Sequence, residues 1–306
     1  MVFPYARQHT LSHPVTCAGV ALHSGAQVRM CLRPAPVNSG IVFRRTDVAA
    51  DIADIPARFD HVGDCTLSTS IQNAHGTRII TIEHLMAALS GAGIDNLVVE
   101  LDGPEVPAMD GSSAPFLFLI EAAGLVAQDA PRRAIRILEA IRVTDGDRAV
   151  ELVPGDGFGI EFEIDFASGA IARQAGAFDL RGQGFKAELS RARTFGMRQE
   201  IDWMRSKGLA LGGSLDNAVV VDGDVVMNDG GLRYPDEFVR HKALDAVGDL
   251  YLAGAPIIGT FRGSKSGHAL NNRLLRTLFA TPGAFAWTIS QGAGAGFPEM
   301  SAAAPA

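Results

Sequence analysis

Apolar and polar residues alternate along several stretches of the chain, the pattern of half-buried strands. Val15, Val20, Leu22, Val28, Met30 and Leu32 keep a period of two on either side of His23-Ser24-Gly25, which predicts strand, turn, strand over residues 10–32. Further strands are expected at 40–47 (GIVFRRTD), 94–101 (IDNLVVEL), 134–138 (AIRIL), 141–145 (IRVTD), 149–154 (AVELVP) and 256–261 (PIIGTF). In GIEFEIDF (159–166) the alternation puts Ile160, Phe162, Ile164 and Phe166 on one side, and Glu161, Glu163 and Asp165 on the other. The period turns helical at Leu85, Met86, Ala88 and Leu89, with Gly91 or Gly93 as the stop.

A Pro/Gly/Ser loop from residue 105 feeds an apolar helix that ends by Gly124. Residues 186–197 begin as a helix and end at Gly196. After them come a helix, a Gly-Gly turn and a hairpin with Asp222-Gly223 at its tip. The segment 232–252, LRYPDEFVRHKALDAVGDLYL, is expected to be a helix opened by Pro235, with Asp236 and Glu237 where the helix dipole favours negative charge. GSKSGHALNN (263–272) reads as a loop before a last helix, and the Gly/Ala/Pro-rich tail from Gly292 as a frayed end.

QDAPRR (128–133) is polar and contains a proline, so it serves as the boundary between domains 1–129 and 130–306. The halves echo each other weakly. In each, several strands precede a helix that starts near a histidine (His84, His241) and is followed by glycine and a buried strand. The expected class is α+β, two domains of similar build sharing a cleft.

Composition narrows the possibilities. The 306 residues are 47% apolar and 20% charged, ordinary for a globular chain with a sizeable core. A net charge of −7 argues against a nucleic-acid partner, which would call for a phosphate-neutralising surface. Three cysteines, none in C-x-x-C spacing, give no disulfide framework. The first fifteen residues lack an apolar core of the signal-peptide kind. FLFLI (116–120) and LYLAGAPIIGTF (250–261) are too short for a membrane span. A cytoplasmic location is expected.

The chemistry begins on the 232–252 helix. His241, Asp245 and Asp249 recur every four residues and so share one face. Imidazole nitrogen and carboxylate oxygen both suit zinc. Read alone, the pattern fits a core helix with a satisfied histidine equally well. His84 is the candidate third ligand. Glu83 precedes it and points about 100° away on a helix, so it can reach a water beside the metal as general base without competing for the ligand position. Asp249 can orient His268, expected on the 263–272 loop. Thr194 offers a hydroxyl to an oxyanion, while Lys242 and Lys265 offer charge to an anionic substrate group; each could equally be an ordinary structural or solvated side chain.

Together these residues carry a resemblance. GVALHSG (19–25), TIEHLMAAL (81–89), PAMDGSSAPF (107–116), SRARTFG (190–196), GGSLDNAVV (212–220), DEFVRHKALDAVGDLYL (236–252) and KSGHALNN (265–272) resemble the UDP-3-O-acyl-N-acetylglucosamine deacetylases, zinc amidohydrolases of lipid A synthesis, over about residues 8–290. The resemblance implies a two-domain β-α-α-β sandwich with the active site between the domains. It implies Zn2+ on His84, His241 and Asp245 and Glu83 as base. It makes His268, oriented by Asp249, the electrostatic partner or general acid, and Thr194 the oxyanion donor. Lys242 would contact the phosphate side of a UDP-linked acylated amino sugar, and Phe195 would stack near its glucosamine and uridine end.

The resemblance further implies an acyl tunnel in a β-α-β insert near residues 196–217. There Met197 and Leu215 stand where phenylalanine is frequent. Ser68 stands where some members have cysteine, and Ala21 replaces the second glycine of GVGLH. A monomer acting on a small molecule, with no membrane span, is expected. Two other readings are a zinc hydrolase of a different N-acylated sugar and a catalytically silent nucleotide-sugar or lipid-binding protein. The presence of Glu83 and every ligand speaks against the silent one.

Overall fold

A computed structural model describes residues 6–290; the tail from Gly292 and the first five residues lie outside it. The chain builds two main sheets with helices packed between them, an α+β arrangement. The first sheet has five strands in the order Val15–Val20, Gln27–Pro34, Leu97–Leu101, Ile41–Arg45, Asp54–Pro56. Its central strand, Leu97–Leu101, has Leu97, Val99 and Leu101 buried and lies within the strand expected from the β-branched run at 94–101. Against this sheet, on Val15–Val20, stands α2 (Ala114–Ala123), and α1 (Glu83–Ala92) packs on α2. Helix α1 stops at Gly93, whose φ of 75° is the left-handed cap that glycine adopts without strain.

The second sheet is organised on Ile257–Ser264. This strand pairs in parallel with Phe158–Asp165 and with Arg133–Ile137, and antiparallel with Arg148–Val153. In Phe158–Asp165, Ile160, Phe162 and Ile164 are buried, while Phe166 lies just past the strand and is 37% exposed. The sequence pattern thus misplaces Phe166, since the strand ends one residue earlier and releases it. Arg173–Asp179, a strand that the pattern does not reveal, closes one edge. Its sequence, RQAGAFD, is mostly small or polar with Phe178 its one buried residue, so it has little apolar signal.

A third helix, α3 (Gly184–Glu188), is only one turn and a half long. The helix expected through Gly196 therefore ends early, and Phe195–Met197 is a strand parallel to Val219–Asp222. With α4 (Arg198–Ser206) between them, these strands form a β-α-β unit spanning the expected insert. Helix α5 (Glu237–Tyr251) begins just after Pro235 and Asp236. Helix α6 (His268–Ala280) starts at His268, so that histidine opens a helix; the loop is confined to the residues before it.

Helices α1 and α5 pack against each other between the sheets, and α5 and α6 also lie on the second sheet. Leu85, Met86, Leu89, Leu244, Val247 and Leu250 are buried at this centre. Each such side chain contributes roughly 1.5–3 kcal/mol by leaving water. The polar stretch at 128–133 is not a free linker. Leu125–Pro131 pairs antiparallel with Arg7–Leu11, and Arg132 is buried with Nε 2.8 Å from Asp95 Oδ1. The stretch is polar because the ribbon is half exposed, and its buried arginine has a carboxylate partner.

Candidate metal centre and catalytic cleft

The packing of α1 on α5 brings His84, at the second position of α1, to the face of α5 that carries His241 and Asp245. His84 Nε2 lies 3.5 Å and His241 Nε2 3.3 Å from Asp245 Oδ1. The two rings meet edge to face, centroids 4.9 Å apart. Among the described residues these three form a group whose ligand atoms all fall within 4.8 Å of one another. Asp245 Oδ1 is buried and has no hydrogen-bond partner, a costly state for a carboxylate oxygen unless a cation meets it. The other oxygen, Oδ2, accepts from Lys242 Nζ at 2.7 Å.

Of the two histidines, His241 is held as a neutral ligand, while burial of His84 is outweighed by Asp245 and Glu83, which raise its pKa. His241 Nδ1 lies 3.1 Å from the Ala192 carbonyl, which turns Nε2 toward the centre. Burial pushes the His241 imidazole down to about 4, so it stays unprotonated at neutral pH. Burial alone would raise Asp245, but His241 and Lys242 override it and hold the carboxyl well below its usual range.

Beside this group stand two further carboxylates. Glu83 opens α1, is 4% exposed, and accepts from the Thr69 backbone N–H at 3.0 Å. Burial pushes its carboxyl up, against the opposing pull of His268 and His84. Asp249, one turn beyond Asp245, is fully paired. Oδ2 lies 2.9 Å from His268 Nδ1 and accepts from Asn271 Nδ2 at 2.8 Å, while Oδ1 accepts from Thr69 Oγ1 at 2.5 Å. Burial would lower His268, but Asp249 and Glu83 outweigh it and lift the imidazole to about 9. Thr81, two residues before Glu83, has φ of 60°, a strained conformation for a β-branched residue. Its hydroxyl lies 3.3 Å from both Ser68 Oγ and Glu105 Oε1.

A cavity of about 610 Å³ opens over the group. Glu83, His84, His241, Asp245, Lys242 and His268 line it, and so do Thr194, Phe195, Met197, Ser68 and Lys265. Phe195 packs edge to face on Phe238, Phe166 and His241. Lys265 stands at the rim, 3.2 Å from Asp147 and 3.1 Å from Asp165. A second cavity of about 550 Å³ lies under the β-α-β insert and shares Leu22, Leu67, Thr194, Phe195 and Gly196 with the first. Leu215 lines this second cavity, whereas Met197 lines the one over the ligands, so the two residues face different spaces.

Three residues without an assigned role in the sequence reading belong to this neighbourhood: Thr69, Asn271 and Phe166. Asn271 lies three residues beyond His268, one turn along α6, and that spacing was a usable signal. Thr69 lies 180 residues from Asp249 and had none. Glu237 stands in the first turn of α5, as expected, and is completely buried, accepting from the Arg193 and Arg233 backbone N–H groups and from the Arg193 guanidinium.

Two histidines and an aspartate on facing helices, with a buried glutamate and a His–Asp pair beside them, constitute a candidate metal centre equipped for acid–base chemistry. The chain matches the sequence model of the LpxC family, UDP-3-O-acyl N-acetylglycosamine deacetylase, over residues 8–280, and it belongs to that family. It is 52% identical to a UDP-3-O-acyl-N-acetylglucosamine deacetylase of Vibrio parahaemolyticus, over 92% of this chain and 93% of the relative. It is 49% identical to one from Idiomarina loihiensis, over 98% and 96%, and 51% identical to one from Pseudomonas entomophila, over 90% of each. No helix among the described residues is long and apolar enough to cross a membrane.

Proposed function

We propose that this chain hydrolyses the N-acetyl group of UDP-3-O-(3-hydroxyacyl)-N-acetylglucosamine, giving acetate and the free amine, in lipid A synthesis. The observation that carries the reading is the unpaired, buried Asp245 Oδ1 converging with His84 Nε2 and His241 Nε2. Family membership and the names of the relatives supply the substrate class. The metal we assign is zinc, because two imidazole nitrogens and a carboxylate oxygen are a donor set that suits it, and His84, His241 and Asp245 would hold it. When bound, zinc would supply Lewis acidity toward water and the amide carbonyl.

The chain's own groups then divide the proton work. Glu83, made more basic by burial, takes a proton from the water that attacks the acetyl carbon. His268, kept protonated against Asp249, supplies the proton that the departing amine takes when the C–N bond breaks. The water oxygen leaves in acetate. Thr194, on the wall of the same cavity, offers its hydroxyl to the oxyanion. Lys242 and Lys265 face the nucleotide's phosphates and Phe195 the sugar and uridine end, while the insert cavity receives the acyl chain. We read residues 1–129 and 130–306 as two domains meeting along α1 and α5, acting in the cytoplasm, a location that three unpaired cysteines suit.

Acetate release from UDP-3-O-acyl-N-acetylglucosamine, against the same sugar without the acyl chain, tests the reading. Release from the acylated sugar alone, or strongly favoured there, is expected. A zinc-loaded protein that releases none from either overturns it.

A further inference from the structure

Glu237 and Arg193 form an ion pair that the proton chemistry above does not use. The glutamate is wholly buried and the arginine 8% exposed. Arg193 Nε stands 2.9 Å from Oε1 and Nη2 3.1 Å from Oε2, a forked contact. Each oxygen also accepts a main-chain N–H, that of Arg193 on Oε1 at 2.9 Å and that of Arg233 on Oε2 at 2.6 Å. Burial would raise the Glu237 carboxyl, but Arg193 and those N–H groups override it and hold it below its usual range, so the pair is ionised. Two charges taken out of water add little stability over a well-packed apolar pair, so their retention calls for another use.

Their position supplies one. Glu237 lies one turn before His241 on α5, so the two side chains leave the helix on one face. They hold opposite ends of one peptide unit. Glu237 Oε1 takes the N–H of Arg193, and His241 Nδ1 lies 3.1 Å from the carbonyl of Ala192. Those two groups belong to the same planar amide, so neither can turn without the other. The carbonyl can only accept, so Nδ1 carries the hydrogen and Nε2 keeps its lone pair for a cation. Neighbouring carbonyls of the segment are tied down as well. Arg233 Nη1 donates to that of Arg191 at 3.0 Å, and Arg240 Nη1 to that of Glu188 at 2.8 Å. Thr194, on the cavity wall, follows directly in the same segment.

We propose that Glu237, with Arg193 as its counter-ion, is a positioning residue for the metal centre: it fixes the 192–193 peptide so that the Ala192 carbonyl sets the tautomer and the direction of His241. The inference rests on the metal-dependent reading above and adds to it two residues that neither ligate the metal nor line the cavity over it.

The test uses the full chain, Glu237→Gln and Arg193→Lys. Zinc affinity is measured by competition with a chelator, the His241 ring nitrogens by 15N NMR of the metal-free protein, and melting temperature alongside. Glu237→Gln should bind zinc about 10- to 100-fold more weakly, as loss of a group that orients a ligand does. Its ring nitrogens should move from one Nδ1–H tautomer toward a mixture. Arg193→Lys keeps the charge but loses the fork, and should show both effects to a smaller degree. A merely structural pair would lower the melting temperature and leave zinc affinity and ring shifts where they are. That result in Glu237→Gln, or in Arg193→Lys if Glu237→Gln does not fold, overturns the proposal. Failure of the full chain itself to bind zinc would instead remove the metal centre on which it rests.

Discussion

Gly248 of α5 lies directly against the backbone of Glu83 in α1. A Cβ built on Gly248 would stand 3.1 Å from the Glu83 Cα and fall on its carbonyl oxygen. The absent side chain therefore sets how closely the two helices approach, and with it the distance between His84 and the His241–Asp245 pair. Gly248→Ala should push α1 off α5 at a cost of about 1–3 kcal/mol, the usual range for overpacking. The melting temperature should fall, and turnover should fall further than that loss of folded protein explains. A variant with normal melting and normal turnover would mean that the interface yields freely.

Ligand and base should separate cleanly by mutation. His241→Ala and Asp245→Ala each remove one of the three convergent atoms and should lose bound zinc by elemental analysis, along with activity. Glu83→Gln should keep about one zinc per chain, yet turn over on the order of 10²–10⁴ more slowly, as loss of a general base does. Chelation should silence the natural protein. Full activity in metal-free protein would sink the assignment of the centre; normal turnover in Glu83→Gln would sink only the role of that carboxylate.

The His268–Asp249 contact predicts a pH dependence. His268 titrates near its ordinary value of 6.5 when unfolded and at about 9 in the folded, metal-free chain. The folded state thus holds this proton more tightly. Its contribution to stability is complete below the unfolded value and is lost as pH rises through the folded one. Melting temperature of the metal-free protein should therefore decline between about pH 6.5 and 9 on this account, and His268→Gln should flatten that limb. Equal slopes in the two proteins would show that His268 is not the titrating group.

Acyl-chain range should follow the two different spaces that Leu215 and Met197 line. A flexible methionine adapts to a ligand better than a ring does, and each buried methylene is worth about 0.8 kcal/mol. The natural protein should accept a broad span of acyl lengths, and Met197→Phe with Leu215→Phe should narrow it. Leu215→Phe alone should account for most of the change, because Leu215 borders the insert cavity. Matching kcat/KM profiles across acyl lengths in all variants would assign the preference to other residues of the insert.

Much of the site was legible because helix and strand periods are local properties. The four-residue recurrence of His241, Asp245 and Asp249 puts them on one face whatever the helix packs against, and adjacency fixes Glu83 beside His84. Likewise, alternation in residues 158–164 marks a strand with one buried side before any partner is known. What no period encodes is which faces meet. That Thr69 and Asn271 complete the shell of Asp249, that Gly248 admits Glu83, and that Arg132 finds Asp95 inside a stretch polar enough to pass for a linker are contacts between segments far apart in sequence. The short strand Phe195–Met197 exists because Val219–Asp222 pairs with it, its three residues carrying no period of their own. His23 shows the limit most plainly. Its residue type and neighbours gave no usable pattern, and only the folded chain buries the residue and leaves both ring nitrogens without a hydrogen-bond partner.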